Sequence, residues 1–592
     1  MFRKLALAAA VTFSVSLPLA SFASASNPSF GPVTVLAQAL NTGGYASVES
    51  TSCPSAGYCS AGGEVYDVTN HSHAFVADQT GGLWHPAQLV VVPAVTSAQS
   101  SIASISCSSP GNCAASGYFR DAAGLDQAMV VNEVDGEWAT AIEVGAIMNP
   151  SGGASLNSVS CASNGNCSAV GWVEIDQNSY QSIIINEVNG VWGAPVEVAT
   201  GLNIDYYGYL NSVSCASVGN CTAGGTYTDD NGYEVFVISE VNGSWGSPYE
   251  LVASLNDGGN GYVDQVSCAT PNNCTLVGQL GEYFSGADQA FAVNEVNGVW
   301  GQGHELAAVL NIGQEGEANA VSCSSPGNCV VGGFYSDQII VPGLRHAHGA
   351  ARLTLGKNLQ FNKSQHQAFL AVETNGTWAP AFAVAGALNV GSYAKIESVS
   401  CVDAANCVAT GSYEDVNNRN QLFVISEVAG VWGNAVPLLT GGAQSNADGV
   451  STACTLSGYC VIGGYYGDPL AFIISKQFSS AQFVIDPFSE GSYALNAKLN
   501  AQIWVAASLM KVHGLHHATV IGNTDSIDSH QFNLALGLHR AQAVRTQLLK
   551  DLAALGYHSV TLATATKGDT QFVASNKTAA GRALNRRVVL TL

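Results

Sequence analysis

The cysteines constrain the fold most strongly, because all 16 fall into eight pairs with one spacing, C-x5-C. The first cysteines of successive pairs are 54, 54, 54, 53, 55, 78 and 53 residues apart. Self-similarity at a fixed period is typical of a repeat architecture. The chain therefore contains eight copies of one unit, and the sixth carries an insertion of about 24 residues. The pairs are Cys53/Cys59, Cys107/Cys113, Cys161/Cys167, Cys215/Cys221, Cys268/Cys274, Cys323/Cys329, Cys401/Cys407 and Cys454/Cys460.

The third repeat illustrates how one unit is expected to fold. Residues 158–161 alternate polar and apolar side chains, which predicts a strand, and residues 167–172 return as a second strand. A third strand over residues 183–188 leads into Asn189-Gly190, the strongest two-residue hairpin signal. Residues 191–198 form the fourth strand. Four antiparallel strands in about 50 residues is the pattern of a β-propeller blade.

Each cysteine pair lies across the first predicted hairpin of its repeat, so we expect one disulfide per pair. A bridge over so short a loop constrains the unfolded chain by about 2 kcal/mol on the loop-entropy model. Zinc ligation is the alternative, and it normally uses C-x2–4-C pairs, often with histidine partners.

The eighth repeat is incomplete, because no hairpin turn and no tryptophan follow residues 471–474. Residues 30–35 near the N-terminus match residues 192–198 of the third repeat. We therefore expect the N-terminus to supply the missing fourth strand, which closes the ring and leaves no open sheet edge. An open solenoid is the alternative. Residues 26–478 are thus predicted to form an all-β, eight-bladed β-propeller, and its units resemble Cys-paired propeller repeats of exported bacterial proteins.

Residues 1–25 are predicted to be a secretory signal peptide. Arg3 and Lys4 precede an apolar run, and Ala23-Ser24-Ala25 supplies small residues for cleavage. No later stretch approaches 18 consecutive apolar residues, so no transmembrane helix is expected. We expect an exported protein in a compartment where disulfides persist.

The composition changes near residue 476. Residues 26–475 hold 7 lysines and arginines against 37 acids, net −30, whereas residues 476–592 hold 11 against 6, net +5. The acidic total of −23 makes nucleic acid an unsuitable partner, because phosphate binding needs a basic surface. Only 11% of all residues are charged, which would suit an acidic habitat.

The second domain, residues 479–592, is predicted to be a smaller α/β unit. Apolar residues at spacings of three and four between 534 and 555 predict an amphipathic helix. An earlier helix is expected across residues 493–512, with strands at 517–521, 560–563 and 588–592. The predicted order is βαβαββ.

This domain also carries an ordered set of motifs. They are Gly522-Asn523-Thr524-Asp525, Asn533-Leu534-Ala535-Leu536, Arg540-Ala541, Asn576-Lys577-Thr578 and the segment 581–588. Together they resemble the OmpA-like peptidoglycan-binding domain over roughly 110 residues. The resemblance implies that Asp525 and Arg540 bind the diaminopimelate residue of a peptidoglycan stem peptide. Thr524 precedes that aspartate, and Asn533 occupies the family's Asn-x-x-Leu motif.

The chemistry of this implied pair suits the ligand. Diaminopimelate ends in an ammonium and a carboxylate; Asp525 can pair with the first, and the guanidinium of Arg540 can fork onto the second. A helix beginning near Ser529 would add partial positive charge. The alternative is that the two residues form only a surface ion pair. Two positions depart from the family, which usually has Gly at Asp528 and Ser at Gly537.

For the propeller, the sequence offers no catalytic motif such as H-E-x-x-H, G-x-S-x-G or a phosphate-binding loop. No cofactor or metal is expected. Calcium at the acidic loops 229–232 and 414–417, and a transition metal at His71/His73, His346/His348 or His513/His516/His517, are the less favoured interpretations. The insertion, residues 338–364, holds four of the seven basic residues of the propeller, and we hypothesise that it docks a partner.

The function expected from the sequence is that of a non-enzymatic, exported cell-envelope protein. It would reside in the periplasm, held non-covalently on peptidoglycan, with attachment to the outer membrane left open. Its propeller would present a binding scaffold to an unknown envelope protein or a glycan. The alternative is a peptidoglycan-anchored hydrolase or lyase acting on envelope sugars.

Overall fold

The structure, a computed structural model, describes residues 31–591 with several gaps. The predicted signal peptide and the insertion 338–364 lie outside the described residues. The gaps are 94–98, 145–147, 149–151, 177–178, 204–206, 231, 252–259, 282–287, 338–365, 429, 440–446, 456–457, 468–469, 476–481, 513–516 and 573.

Each repeat folds into an antiparallel sheet, as the third repeat shows. Its fourth strand is broken into Val191–Trp192 and Val196–Val198, and both pieces pair with the third strand. Pro195 lies between them and has no N–H to donate. At the preceding turn Asn189 and Gly190 both adopt positive φ, 52° and 82°, as the hairpin prediction requires. The four-stranded prediction is therefore correct, with an interruption that it did not include.

The same elements recur along the chain. The first strands are Ala46–Ser55, Ser100–Ser109, Ala154–Ser163, Gly208–Ser217, Asn260–Thr270, Gly316–Ser325, Ala394–Asp403 and Ala447–Cys454. The second strands are Tyr58–Tyr66, Asn112–Arg120, Asn166–Asp176, Asn220–Asp229, Asn273–Gly281, Asn328–Ser336, Asn406–Glu414 and Cys460–Tyr466. The third strands are Ser72–Thr80, Asp126–Val134, Ser179–Val188, Gly232–Val241, Asp288–Val296, His366–Thr374, Asn420–Val428 and Leu470–Ser475.

The fourth strands of the first seven repeats are all split in two. The first pieces are Leu83–Trp84, Glu137–Trp138, Val191–Trp192, Ser244–Trp245, Val299–Trp300, Thr377–Trp378 and Val431–Trp432. The second pieces are Gln88–Leu89, Ile142–Glu143, Val196–Val198, Tyr249–Glu250, His304–Glu305, Phe382–Val384 and Val436–Pro437.

All eight predicted disulfides are present, one in each repeat. Among the described residues no cysteine is left free, so these residues offer no thiolate to a zinc ion. The disulfide prediction is confirmed, and the zinc alternative is wrong. The bridges are Cys53–Cys59, Cys107–Cys113, Cys161–Cys167, Cys215–Cys221, Cys268–Cys274, Cys323–Cys329, Cys401–Cys407 and Cys454–Cys460.

The bridges differ from the prediction in one respect. Each disulfide links the two strands of one hairpin, and its second cysteine also packs against the preceding repeat. The second cysteine of a pair is buried in the junction with the preceding repeat, as Cys221 and Cys407 show, at 4% and 3% exposed. Cys221 Sγ lies 3.4 Å from Ser168 Oγ of the third repeat. Cys407 belongs to a core cluster that includes Ala320 and Val330 of the sixth repeat. Loop length in the sequence does not reveal this second, packing role of the sulfur atoms.

The eighth repeat takes its outer strand from the other end of the chain. Thr34–Val35 pairs antiparallel with Leu470–Ser475, with Thr34 opposite Ile473. The backbone N–H of Leu36 donates to the carbonyl of Ala471 at 2.9 Å. The prediction of strand exchange is confirmed for these residues, while Phe30 lies outside the described part.

The hydrophobic core of the repeat region is divided among the junctions between repeats. Each of eight clusters combines buried side chains from two neighbouring repeats. One of them joins Val48 and Phe75 of the first repeat to Val461 and Ile473 of the eighth. A single repeat cannot bury both faces of its sheet, so its stability depends on its neighbours.

A line of serine side chains links the first strands of neighbouring repeats. The serine before each first cysteine accepts a hydrogen bond from the backbone N–H of the next repeat's first cysteine, as Ser106 does from Cys161 at 2.9 Å. The same bond occurs at all seven junctions from the first repeat to the eighth. Between the eighth repeat and the first, the N–H of Thr51 donates to Ser451 Oγ at 2.9 Å.

The C-terminal domain is a four-stranded sheet covered by helices. Helices α1 (Ala497–Val512) and α2 (His530–Ala554) are accompanied by a short α3 (Ala579–Asn585). The sheet order is Gln482–Ile485, Val588–Thr591, His517–Asn523, Thr561–Gly568, and only the last two strands are parallel. Its core of buried aliphatic residues lies within this domain.

Two details of this domain differ from the prediction. Helix α1 begins at Ala497 rather than at 493, because the side chain of Asn496 accepts from the N–H of Leu499 at 2.9 Å and caps the helix. Helix α3 was not predicted; seven residues are too few for a clear apolar period. None of the described helices is long and apolar enough to cross a membrane.

Candidate functional site

The candidate site lies where the strand His517–Asn523 ends and helix α2 begins. The N–H of Thr524 donates to the carbonyl of Gly568 at 2.9 Å, and that of Asn523 donates to the carbonyl of Arg587 at 2.8 Å. These bonds fix the chain immediately before Asp525. Thr524 is 1% exposed and Asp525 is 4% exposed. The predicted aspartate is therefore held rigidly at the edge of the core.

Asp525 forms an ion pair with Arg586, whose Nη1 lies 2.9 Å from Asp525 Oδ2. The Nε of Arg586 also donates to the carbonyl of Phe488 at 2.8 Å, which fixes the guanidinium. No individual role was predicted for Arg586. It belongs to the motif 581–588, but two arginines are adjacent there and spacing alone does not tell which one faces the aspartate.

Arg540 is fully buried on the inner face of helix α2. Its guanidinium donates to the carbonyls of Ser492, Asn523 and Ser489 at 2.8, 3.0 and 3.0 Å, and it lies 5.2 Å from the centre of the Phe488 ring. The backbone carbonyls use three of its five N–H donors. Burial lowers the pKa of Arg540 to about 10, while Asp525 opposes the shift, so the group is charged at neutral pH.

The predicted alternative, a surface ion pair between Asp525 and Arg540, is wrong. Both residues are buried, and the ion-pair partner of Asp525 in the described chain is Arg586. Instead, two arginines face one carboxylate. The arrangement places one carboxylate acceptor beside two guanidinium donors.

The start of helix α2 closes one side of the site. Ser529 caps the helix by accepting from the N–H of Phe532, as the sequence predicted for its N-terminus. Asn533 is fully buried and donates through Nδ2 to the carbonyl of Asp528 at 2.9 Å. Its Oδ1 has no hydrogen-bond partner among the described residues. Asn533 thus holds the loop that carries Asp525.

The two departures from the family have different settings. Gly537 lies against the sheet, where an added Cβ would come within 2.4 Å of Thr566 Oγ1 and 2.9 Å of the Gly522 carbonyl oxygen. A glycine is therefore required by close packing of helix α2 on the strands. Asp528 is exposed beside the site and adds a negative charge there.

Three of the alternative metal-binding residues, His71, His73 and Asp415, already contact other side chains. Asp67 Oδ2 lies 3.0 Å from His73 Nε2, and Thr69 Oγ1 lies 2.8 Å from His71 Nδ1, so one polar loop contacts both histidines. Asp415 pairs with Arg419 at 3.1 Å.

Several of the other metal candidates cannot be placed. His346, His348, His513 and His516, like Asn231 of loop 229–232, lie outside the described residues. Within the described chain the one metal-like trio is Cys107, Cys113 and Glu133, and those cysteines form a disulfide.

A set of buried acids in the repeat region was not predicted from the sequence. Six glutamates at one repeat position, two residues before each hairpin turn, are 2–6% exposed. The sequence does contain a signal for them, because a glutamate recurs at the same position in repeats two to seven. These residues are Glu133, Glu187, Glu240, Glu295, Glu373 and Glu427.

The two ends of the repeat sheets differ from each other. At one end the first and last hairpins of each of the first seven repeats are joined by the same backbone bond, such as Gly190 N–H to the Gly165 carbonyl at 2.8 Å. The other end of each sheet carries the turn between the second and third strands and the segment that leads into the first strand. The repeats differ in sequence there, and we call it the divergent end. There Lys395 Nζ lies 3.4 Å from Glu397 Oε1, and burial raises the pKa of Glu397 to about 7.

Aromatic side chains from repeats three and four also meet at the divergent end. Tyr180 stacks on Tyr207 and Tyr209, with ring centres 5.7 and 5.5 Å apart. Trp172 packs edge-on against Tyr180 at 5.1 Å. All four rings are partly exposed.

The fold and the site together define a small α/β domain with a buried acceptor between two arginines. Residues 487–586 match the model of the OmpA family, so this part of the chain is an OmpA family domain. The resemblance seen in the motifs is thereby confirmed.

Two curated relatives each match a small part of the chain. The Escherichia coli (strain K12) protein YfiB, named as a putative lipoprotein, is 36% identical over 107 residues, covering 18% of this chain and 64% of that protein. Outer membrane protein A of Bordetella avium is 40% identical over 72 residues, covering 12% of this chain and 35% of that protein. The chain thus spans less than two thirds of the length of either relative.

A solved structure also matches here. The peptidoglycan-associated lipoprotein from Burkholderia pseudomallei is 32% identical, with a TM-score of 0.17, covering 19% of this chain and 90% of that chain.

Proposed function

We propose that this protein is a cell-envelope protein held non-covalently on peptidoglycan by its C-terminal domain. The observation that carries the proposal is the buried Asp525, which pairs with Arg586 and interacts electrostatically with Arg540. Backbone carbonyls use three of the five N–H donors of Arg540, and we propose that a ligand carboxylate accepts from the other two. Asp525 Oδ1, which accepts from the Ile527 N–H at 3.4 Å, can also accept from a ligand ammonium. The free end of diaminopimelate carries both groups. The OmpA family match and the naming of the relatives support an envelope location.

The test is co-sedimentation of the full chain with peptidoglycan of the diaminopimelate type. Asp525→Asn removes the charge that pairs with the ammonium, and Arg540→Lys keeps the charge but loses the planar fork. We expect each to weaken binding at least about tenfold, the effect of 1.4 kcal/mol. Lys498→Gln and Lys550→Gln, which remove exposed charges from helices α1 and α2, are the matched controls. Unchanged binding by both site variants, with normal melting, contradicts the proposal.

We further propose that the eight repeats close into an eight-bladed β-propeller. The shared core between the eighth and first repeats, the Thr51–Ser451 bond and the strand from the N-terminus support closure. Deleting residues 31–41 would expose the edge of Leu470–Ser475. We expect that deletion to lower the melting midpoint and promote aggregation, because an uncovered edge invites pairing. A deletion variant as stable and monomeric as the parent would favour an open array.

The propeller is proposed to act as a scaffold for an envelope protein or a glycan. The divergent end of the repeats supports this role. Residues that are the same in every repeat are needed for the shared fold, whereas residues that differ between repeats at this end are not explained by the fold and can form a specific binding surface. The partly exposed rings of Tyr180, Tyr207 and Tyr209 offer contact area there. A pull-down with the full chain, compared with a Tyr207→Ala/Tyr209→Ala variant, tests it; identical captured partners would count against this surface.

One observation favours the second candidate, an anchored enzyme acting on envelope sugars. Acids from repeats five to eight, Asp264, Glu317, Glu397 and Asp448, interact electrostatically with one another or with Lys395 at the divergent end. Desolvation raises the pKa of Asp264 and of Glu317, as expected for proton-transfer groups. Release of soluble sugar from purified envelope polysaccharide by the full chain, lost in Glu397→Gln, would establish the enzyme; no release would remove it.

A further inference from the structure

Six buried glutamates in the repeat region stand in equivalent positions between a disulfide and a tryptophan. Glu133, for example, lies opposite Cys113 on one neighbouring strand and opposite Trp138 on the other. Glu427 likewise lies opposite Cys407. The tryptophan pairing holds for all six. Each glutamate is therefore fixed by backbone register at a place that water scarcely reaches.

The hydrogen bonds of these carboxyls are sparse. Asn186 Nδ2 donates to Glu240 Oε1 at 2.6 Å, and asparagines of the preceding repeats likewise donate to Glu187 and Glu373. One oxygen, Oε2, of four of the six finds no partner among the described residues. Those four are Glu133, Glu295, Glu373 and Glu427.

The charged surroundings do not favour a carboxylate. No described lysine, arginine or histidine forms an ion pair with any of the six. The charged groups acting on them are Asp78, which faces Glu133, and Asp403, which faces Glu427, and both repel. A buried acid without a cation takes up a proton rather than remaining charged.

Two histidines lie one contact further away. His85 acts on Asp78, not on the glutamate itself. His304 stacks on Trp378, the cross-strand neighbour of Glu373, with ring centres 6.3 Å apart. Neither imidazole forms an ion pair with a member of the glutamate set.

The first repeat shows which chemical form the position accepts. It has Gln79 there, an uncharged amide that is 3% exposed. Gln79 Nε2 donates to the hydroxyl of Tyr459 at 2.6 Å and to the carbonyl of Gly82 at 3.2 Å. A neutral group of the same length thus fits the site without a cation. The glutamates of the other repeats correspond to that neutral form when they are protonated.

We propose that the repeat region holds these six glutamates as uncharged acids, so that it is most stable in acidic surroundings and loses stability progressively as the pH rises from mildly acidic to mildly basic. This property is distinct from anchoring and independent of any ligand. Burial raises the pKa of Glu133 to about 8, with Asp78 adding to the shift, and raises that of Glu427 to about 7, with Asp403 adding. Burial also raises the pKa of Glu187, Glu240, Glu295 and Glu373.

The sign of the effect follows from proton binding. A carboxyl whose pKa is higher in the folded state binds a proton that the unfolded chain releases. Its contribution is full below the unfolded value, about 4.5, and is lost as the pH rises through the folded value. For Glu133 and Glu427 the loss therefore falls between about pH 4.5 and pH 8.

Thermal melting of the oxidised full chain, followed by tryptophan fluorescence, tests the proposal. Eight of the nine tryptophans lie in the repeats, so the signal reports mainly on them. We expect the midpoint to fall by at least about 5 °C between pH 5 and pH 8. In Glu133→Gln/Glu427→Gln the fall should be smaller, because two titrating groups are replaced by the residue type found at Gln79.

The matched control is Glu137→Gln/Glu197→Gln, which removes two exposed acids from the neighbouring outer strands. Its midpoint should fall as the parent's does. A parent midpoint that is constant or rises from pH 5 to pH 8, or a buried-site variant with the full fall, overturns the proposal. If the buried-site variant does not fold, proton exchange on unfolding the parent at pH 6.5 decides: release supports the proposal, and uptake or no exchange overturns it.

Discussion

In the repeat region six buried glutamates stand without an ion-pair partner among the described residues, whereas in the C-terminal domain the buried Asp525 pairs with the partly buried Arg586 and lies near the buried Arg540. Glu133 has a repelling Asp78 beside it and lies between a disulfide and a tryptophan. Arg540 is held by three backbone carbonyls and lies near Asp525. The first arrangement is stable when the group is neutral; the second is stable when it is charged.

This difference predicts two separate responses to pH in one chain. The glutamates change protonation between about pH 4.5 and pH 8, so the repeats weaken across that range. Arg540, with a pKa of about 10, remains protonated throughout it and makes no contribution to the change. The C-terminal domain is thus expected to bind peptidoglycan over a wider pH range than the range in which the repeat region is most stable.

Reduction of the disulfides is expected to produce the largest difference in stability between the repeat region and the C-terminal domain. Each bridge contributes about 2 kcal/mol on the loop-entropy model, and all eight lie in the repeats. We expect reductant to speed hydrogen exchange throughout residues 46–475. Peptides from 482–591 serve as the internal control, because no cysteine lies beyond Cys460. Equal acceleration in both regions would show that the two do not fold independently.

The next largest effect is expected at the ion pair between Asp525 and Arg586. Arg586→Met leaves Asp525 without its partner and should lower the stability of the C-terminal domain by about 3 kcal/mol. Hydrogen exchange in helix α2 measures the loss, and the repeats should not change. Lys567→Met removes an exposed charge and should stay within about 0.5 kcal/mol of the parent. A fully stable Arg586→Met variant would mean that the pair does not hold the site.

A smaller effect is expected where helix α2 meets the sheet. Gly537→Ser restores the usual family residue but places a Cβ about 2.4 Å from Thr566 Oγ1. We expect a loss of about 1–3 kcal/mol, the usual cost of overpacking. Adding Thr566→Ala should recover part of it, because the closest atom is removed. If Gly537→Ser alone melts like the parent, the glycine is not a packing requirement.

The smallest effect concerns the serine bonds between repeats. Ser104→Ala removes the acceptor of the Val159 N–H between the second and third repeats and should cost about 1 kcal/mol in denaturant unfolding. Ser451→Ala removes the acceptor at the same repeat position between the eighth repeat and the first, where the Thr51 N–H donates. In a closed ring the two losses should be similar. A loss at Ser104 with none at Ser451 would favour an open array.

Covalent spacing and periodicity made most of the fold predictable from the sequence. The C-x5-C pairs located eight sheets and their disulfides, and the match of residues 30–35 to 192–198 located the exchanged strand. The division of each fourth strand into two short pieces was not predicted, because it depends on the local backbone conformation. The packing of Cys221 and Cys407 against the preceding repeat was not predicted, because it depends on contacts between repeats. Helix α3 was missed because seven residues show no clear period.

The site was predictable only in part, for a related reason. The motifs located Asp525, Arg540, Asn533 and Thr524 in one place. They did not show that Arg586, 61 residues away in sequence, is the partner of Asp525. The buried glutamates were missed because a charged residue type suggests a surface position. Only the packing of neighbouring repeats shows that they are inside.

The central claim, recognition of the free end of diaminopimelate, is tested most directly by comparing two walls. Full chain is mixed with purified sacculi of the diaminopimelate type and of the lysine type, and the bound fraction is measured after sedimentation. Lysine ends in an ammonium alone, so Arg540 would have no carboxylate to hold. We predict binding to the first wall and at least about tenfold weaker binding to the second. Equal binding to both would contradict the claim.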